Sequence, residues 1–420
     1  MSHTLAEVEN VLLADGREWT RRQLEQRLQA QADQFTACLR SGLVLKRLCL
    51  HQFTLKTVSG TVTIRAPYGL SPRTGRWVCP IREHWGLEPH QRLSPALEQR
   101  LAYSAVAAGS YEKAAALAAC WGSAISDDAI HSLVARLGER ARAGPPPPPS
   151  PPPSPRPGPP ALAFCLSLML DGWMVRERGA HWGAPLAQVT TERVAWHEVK
   201  SAVIYHLADR AENAAGRGML IEKNVVACAP GTEPLEFGAA VQQEALRCGL
   251  ASAKEVLVVA DGAAWIWGLI ADRFSTATKT LDFYHASEHL WALARHLHPD
   301  QREGAAQWVQ PLLHRLRHDV DHRLLETLEK LLPPDTPQSP PPNPILQREV
   351  EYFRHHRDHL QYASLAARGA PIGSGAMESA CSQFQNRFKR RGQFWSRQGL
   401  RDLLAVDVAV KNHSLVHLWN

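Results

Sequence analysis

No stretch of this 420-residue chain is apolar for long enough to cross a bilayer. The longest strongly apolar run, Ala161 to Leu170, is ten residues, about half of what a spanning helix needs. The N-terminus, Met1-Ser-His-Thr-Leu-Ala-Glu-Val-Glu, has no basic region followed by an apolar one, so the expectation is a cytoplasmic protein without membrane contact. The eight cysteines are scattered and no two form a Cys-x-x-Cys pair, which points away from a disulfide framework and from a zinc knuckle. Neither Gly-x-Gly-x-x-Gly nor Gly-x-x-x-x-Gly-Lys occurs, which removes the common nucleotide-phosphate loops.

What is present fits a globular chain of several domains: 45% apolar residues and a net charge of only +6, too small a surplus to name a partner by itself. Nineteen of the 30 prolines fall in two runs, twelve between Pro145 and Pro160 and seven between Pro333 and Pro344. Such runs favour polyproline II and lack amide donors, so they read as spacers, with docking to aromatic-lined grooves as the alternative. Residues 1–92 read as a small α+β module, with a polar helix over 21–40 and strands at 53–58 and 61–65 around Ser59-Gly60. Residues 93–143 read as helices. Ser94-Pro95 starts one, and helices over 111–121 and 127–140 flank Gly122-Ser-Ala-Ile-Ser, the pattern of a DNA-reading helix-turn-helix or of a plain helical hairpin. Arg136, Arg140 and Arg142 lie at the C-terminal side of that unit.

Beyond the 144–160 spacer the order of elements changes. Strands at Phe164–Leu170, Glu198–Tyr205 and Asn224–Cys228 precede a helix at 234–248, a strand at Val256–Ala260, a helix at 263–274, a strand at Thr278–Tyr284 and a helix at 287–298. This βββαβαβα order predicts an α/β fold with a mixed sheet covered by helices, and it fits a ribonuclease-H-like core better than a dinucleotide-binding one. The core is assigned to 161–286 and 371–420. Residues 287–370, with the proline loop 333–344, form a helical insertion.

Asp171 ends the first of these strands and Asp261 the fourth. Each is followed by glycine, so each alone reads as the start of a turn. At the ends of neighbouring strands, they could instead share divalent cations. A third oxygen ligand, Glu378, opens a helix whose Met377, Cys381, Phe384 and Phe388 form the buried stripe. From Arg387 to Arg401 there are six basic residues and no acid, with Phe394 and Trp395 interleaved. Arg387, Lys389, Arg390, Arg391 and Arg397 are the candidate DNA contacts, a solvated basic helix being the plainer account. Together Asp171, Asp261 and Glu378 suit a two-metal phosphoryl-transfer site holding Mg²⁺, with Mn²⁺ as a substitute.

These motifs carry a resemblance. Leu170-Asp-Gly-Trp-Met-Val-Arg-Glu-Arg, Trp196-His-Glu-Val-Lys, Ala260-Asp-Gly-Ala-Ala-Trp-Ile-Trp and Gly373-Ser-Gly-Ala-Met-Glu-Ser-Ala-Cys, followed by Arg387-x-Lys389 and Trp395-Ser396, resemble the motifs of DDE transposases of bacterial insertion sequences. The likeness is to the ISKra group and its Mutator-like relatives. It covers about 161–415 and says little of residues 1–92. It implies cleavage at the ends of a mobile element and strand transfer into target DNA by Asp171, Asp261 and Glu378. Partners implied are terminal inverted repeats, target DNA and further copies of the chain in a dimer or larger synaptic complex. Asp282 and His285, in Asp282-Phe-Tyr-His285, would lie close to the active site, and Trp308 could stack on a distorted base, an ordinary core role being the alternative. Relatives often carry a Cys-x-x-Cys near Cys79, which is solitary here, so zinc is not expected there. Two other readings stay open. One is a domesticated transposase that only binds DNA. The other is a zinc peptidase built on His285-Ala-Ser-Glu288-His289, which requires a continuous helix where the sequence suggests the end of a strand.

Overall fold

The computed structural model describes residues 4–42, 45–143, 165–179, 182, 194–212, 218–318, 323–334 and 341–419, so the first proline run lies outside the described residues, as do positions 335–340 of the second. The chain divides into two units, one of Met1–Pro145 with Ala405–Asn420, the other of Pro146–Leu404.

In the first unit the helix predicted over 21–40 runs much further, as α1 (Leu5–Gly42). Leu24, Leu28, Ala32 and Phe35 recur three or four residues apart, so they share one helix face. That face packs on Leu55, Val62, Ile64 and Ala66. These belong to β1 (Lys46–Thr57) and β2 (Gly60–Leu70), an antiparallel hairpin extended by β3 (Trp77–Val78). Gly60, at φ 120°, supplies the conformation that closes the hairpin. A short α2 (Pro80–His84) buries Ile81.

Three helices follow: α3 (Pro95–Ala107), α4 (Tyr111–Cys120) and α5 (Asp127–Ala143). Ser94 caps α3 by accepting from the Leu97 amide, and Ser110 caps α4 by accepting from Lys113. Ile130, Leu133, Val134 and Leu137 form the buried stripe of α5. Arg136 and Arg140 do not project from this helix as free cations. Arg136 pairs with Glu98 and Glu88, and Arg140 pairs with Glu88 and donates to the Leu418 carbonyl at 3.0 Å. Glu98 is 1% exposed and also accepts from the Trp419 indole at 2.8 Å.

The second unit is built on a five-stranded mixed sheet. Its strands are β4 (Cys165–Arg178), β5 (Val194–His206), β8 (Asn224–Cys228), β9 (Glu255–Ala260) and β10 (Thr278–Leu281), in the order β10-β9-β4-β5-β8. β5 runs antiparallel to both of its neighbours, β4 and β8, while β9 runs parallel to β4 and β10 parallel to β9. A small separate hairpin, β6 (Arg210–Glu212) and β7 (Gly218–Leu220), precedes β8. One face of the sheet, carrying Leu166, Leu168, Leu170, Val258 and Ala260, is covered by α6 (Pro234–Arg247) and α7 (Ala264–Arg273) through Phe237, Val241, Ile266 and Ile270.

After β10 come α8 (Phe283–Leu297), α9 (Arg302–His318), α10 (Arg323–Glu329), α11 (Pro344–His355) and α12 (Tyr362–Ala367), which enclose a second core around Leu290, Val309 and Phe353. Trp308 is half-buried at the margin of that core. The last helices are α13 (Gly375–Phe388) and α14 (Arg397–Lys411). α13 lies on the other sheet face, where Trp173 stacks on Phe384 at 5.9 Å between ring centroids. Among the described residues no helix is long and apolar enough to cross a membrane.

Two boundaries differ from the sequence reading, each for a local reason. β4 does not end at Asp171 but continues to Arg178, because β5 pairs with it antiparallel along its whole length. The Asp-Gly pair is therefore strand, not turn. The space a Cβ at Gly172 would need is taken by the Glu198 carboxylate. The last strand stops at Leu281 and α8 begins at Phe283, capped by Asp282 accepting from the Tyr284 amide at 2.7 Å. His285, Glu288 and His289 thus share a continuous helix after all, and the objection that His285 closes a strand does not hold.

Candidate active site

Pairing between β4 and β9 ends at Leu170 opposite Ala260, so Asp171 and Asp261 are the next residues on two adjacent parallel strands, which lie about 5 Å apart. Asp171 belongs to the alternation set of Met169 and Trp173, so it lies on the face that meets α13, and the Cys381 thiol of that helix donates to its Oδ2 at 3.5 Å. The Gly172 amide donates to the other oxygen at 2.6 Å. Burial pushes the Asp171 carboxyl up to about 6, and the neighbouring Asp261 charge pushes the same way, against the Gly172 hydrogen bond and the pull of His285. Asp261 turns its Oδ1 to the Ala263 amide at 3.0 Å and its Oδ2 towards His285 Nε2 at 4.0 Å.

Glu378 stands one helical turn before Cys381 and is exposed. The Ser374 hydroxyl lies 3.4 Å from its Oε1 and also bonds Asp282, which is 1% exposed. Asp282 accepts from the Ser374 amide at 3.2 Å as well. One buried carboxylate therefore caps α8 and fastens the entry to α13. Among the described residues, no three His, Cys, Asp or Glu side chains form a ready-made metal cage. Asp171 and Asp261 offer a pair of hard oxygen donors side by side, and Glu378 stands apart from them on the helix.

His289 faces elsewhere: its Nδ1 meets Glu349, and its ring stacks on Tyr352. The basic candidates separate in the same way. Lys389, Arg390, Arg391 and Arg397 are exposed, whereas Arg387 is 4% exposed beneath the Phe388 and Trp395 rings. Trp308 lies within the helical insertion, its ring 6.4 Å from that of His298.

Tyr352 of α11 was not legible as a site residue. Its ring edge occupies the space beside Gly262, where a Cβ would come within 2.5 Å of Cε2. Burial raises its phenol, and the charges of Asp261 and Asp282 add to the shift. A glycine straight after a strand-end aspartate was the available signal, but a turn explains that glycine equally well. The Cys381 thiol, read as part of a buried stripe, is buried and also touches Asp171.

Residues 12–144 match a family described only as an uncharacterised protein family, UPF0236. That match covers less than half of the chain and none of the carboxylates above. No curated protein matches the chain. Among solved structures, the fold is similar to a chain of the Drosophila P element transposase strand transfer complex, with a TM-score of 0.37 and 9% sequence identity, over 76% of this chain and 93% of that one. So slight a likeness fixes neither fold nor function.

Proposed function

We propose that this chain is a DNA transposase of the DDE type, with a ribonuclease-H-like core, that cuts DNA at the ends of a mobile element and joins those ends to a target. The observation that carries the reading is the placement of Asp171 and Asp261 directly after the last β4–β9 pair, Leu170 opposite Ala260, with α13 hydrogen-bonded to the first through Cys381. The sheet order β10-β9-β4-β5-β8 and its strand directions support it. So does the resemblance of its motifs to those of ISKra-group transposases.

Asp171 and Asp261 would hold Mg²⁺ or Mn²⁺, with Glu378 as the third carboxylate. A divalent cation supplies Lewis-acid activation of a phosphodiester when bound there. With its carboxyl near 6, Asp171 carries full charge only above that pH. His285, beside Asp261, is placed to hold or pass a proton at Nε2. Asp282 keeps α8 and α13 in register around the pair. In hydrolysis a water oxygen attacks phosphorus and the 3′ oxygen leaves. In strand transfer the freed 3′-hydroxyl, losing its proton, attacks a target phosphodiester and the target strand's 3′ oxygen leaves, so only the nucleophile changes. The exposed Lys389, Arg390, Arg391 and Arg397 would meet phosphates. The helices of residues 93–143 would read terminal inverted repeats, in a dimer or larger synaptic assembly.

The test is an end-cleavage and joining assay with Mg²⁺ or Mn²⁺, using DNA that flanks the gene as the source of element ends. The wild-type protein is expected to release and join ends, and Asp261→Ala to bind them without product. Equal joining by Asp261→Ala would overturn the catalytic assignment. Binding without product by the wild-type protein would favour a DNA-binding role, and cleavage without joining a nuclease.

A further inference from the structure

β4 and β5 extend past Asp171 and carry a feature that the carboxylates do not use. The segment around Trp395 joins the free side of β4 in parallel: the Trp395 amide donates to the Arg176 carbonyl at 3.0 Å, and the Arg178 amide donates to the Trp395 carbonyl at 2.8 Å. Arg176 faces Trp196 directly across the β4–β5 pair. Its guanidinium lies 4.9 Å from the Phe394 ring centroid on one side and 5.6 Å from that of Trp196 on the other. Phe394, Arg176 and Trp196 therefore make a rung across β4, β5 and the bridged segment. Lys389 adds a second cation 5.4 Å from the Trp196 ring. Trp196 is nevertheless 52% exposed and the neighbouring Met174 41% exposed.

A single exposed ring is ordinary on a protein surface; what sets this one apart is its flanking by two cations and a second ring. The charges around this rung are mostly of one sign. Arg176 and Lys389 lie at it, Arg390 meets Arg176 through its carbonyl, and Arg178 lies over Trp182, which borders Phe394, while Glu198 pairs with Lys200 at 3.8 Å and the buried Glu177 faces Arg397 and His197. An exposed ring on a sheet, here Trp196 with the half-buried Phe394 beyond Arg176 and bordering cations, suits unpaired nucleotides, whose bases stack while their phosphates are neutralised. A closed duplex hides its base faces and would use only the cations.

We infer that the Phe394–Arg176–Trp196 rung is a stacking platform for unpaired nucleotides. It stands five residues beyond Asp171 on β4, about 16 Å at the rise of an extended chain, and by alternation on the opposite sheet face. The inference rests on the nucleic-acid reading above.

The experiment measures binding of the full chain to two labelled oligonucleotides, a blunt duplex and the same duplex with a single-stranded overhang, with a chelator present so that no cleavage occurs. The wild-type protein is expected to prefer the overhang. Trp196→Ala should weaken overhang binding by about tenfold, the scale of one lost base stack, and change duplex binding by less than about twofold. Trp196→Phe, which keeps a ring, should retain most of the preference, and circular dichroism checks that each variant is folded. Unchanged overhang binding in Trp196→Ala, or an equal loss on both DNAs, overturns the platform and leaves the nucleic-acid reading standing. Failure of the wild-type protein to bind either DNA overturns both.

Discussion

Burial holds the Asp171 carboxyl near 6, well above its unfolded value of 3.8, and that shift has a thermodynamic sign. Below 3.8 the group is protonated in both states and contributes nothing. Between 3.8 and 6 the folded state binds the extra proton, so stability falls as pH rises, and above 6 the whole cost is present. Asp171→Asn removes the ionisation. In chelator, its thermal unfolding should show a gain of about 1–2 kcal/mol over wild type at neutral pH, the shift being discounted for partial exposure. The gain should vanish near pH 4. A gain that does not vary with pH would mean that burial of this charge is not its source.

Gly262 tests a second residue-scale contact. A methyl group there would meet the Tyr352 ring, with Cε2 at 2.5 Å and the hydroxyl at 2.8 Å. Both the ring and its surroundings are too constrained to yield freely, so Gly262→Ala should cost about 1–3 kcal/mol. In a double-mutant cycle, Tyr352→Ala should recover part of that loss. Strict additivity would mean that the two residues do not meet.

At the scale of elements, what could be read from the sequence depended on whether a single segment carried its own pattern. Val256–Ala260 is a short apolar run between turn signals, and it is a strand. The 263–274 and 234–248 helices were placed within a residue of their ends, because Pro234 and the apolar spacing mark them locally. The length of β4 was not local information. Residues 171 to 178 stay extended because β5 pairs with them, and an Asp-Gly pair viewed alone argues for a turn. The start of α8 is hidden for another reason: Thr278 to Tyr284 reads as one strand-like run, although the Asp282 cap on the Tyr284 amide is local. Asp171 and Asp261 were legible as candidates because each follows an apolar run; Cys381 and Tyr352 were not, because only the packing of α13 and α11 brings them in.

The arginines of α5 carry a prediction at this scale. Arg136 faces a carboxylate, Glu98, that is 1% exposed and whose ionised form burial disfavours. Arg136→Ala would strand that charge and should destabilise the first unit by about 3–5 kcal/mol, read by urea unfolding. Arg100→Ala, at an exposed position of α3, serves as a comparison and should cost far less. If the two variants unfold alike, the Glu98 pairing contributes little.

For the whole molecule, the division into units does not follow chain order. The first unit closes with residues from the far end of the sequence, through Trp419 on Glu98 and the Leu418 carbonyl on Arg140. Local patterning cannot announce such a closure, because the C-terminal segment Leu415–Trp419 forms only a short 3-10 turn of its own. The two long stretches of chemistry, the carboxylates and the basic segment, sit between the two halves of that unit in sequence.

That arrangement makes the N-terminal part and the rest of the chain inseparable by a single cut. If a protease site is placed within residues 144–164 and cleaved, both fragments should elute together under native conditions and part only in denaturant. Fragments that elute separately without denaturant would show that residues 405–420 do not hold the first unit closed. The C-terminus would thus act as a clasp: a nick between the units severs the covalent thread, while the fragment beginning at the N-terminus keeps hold of its own last strap.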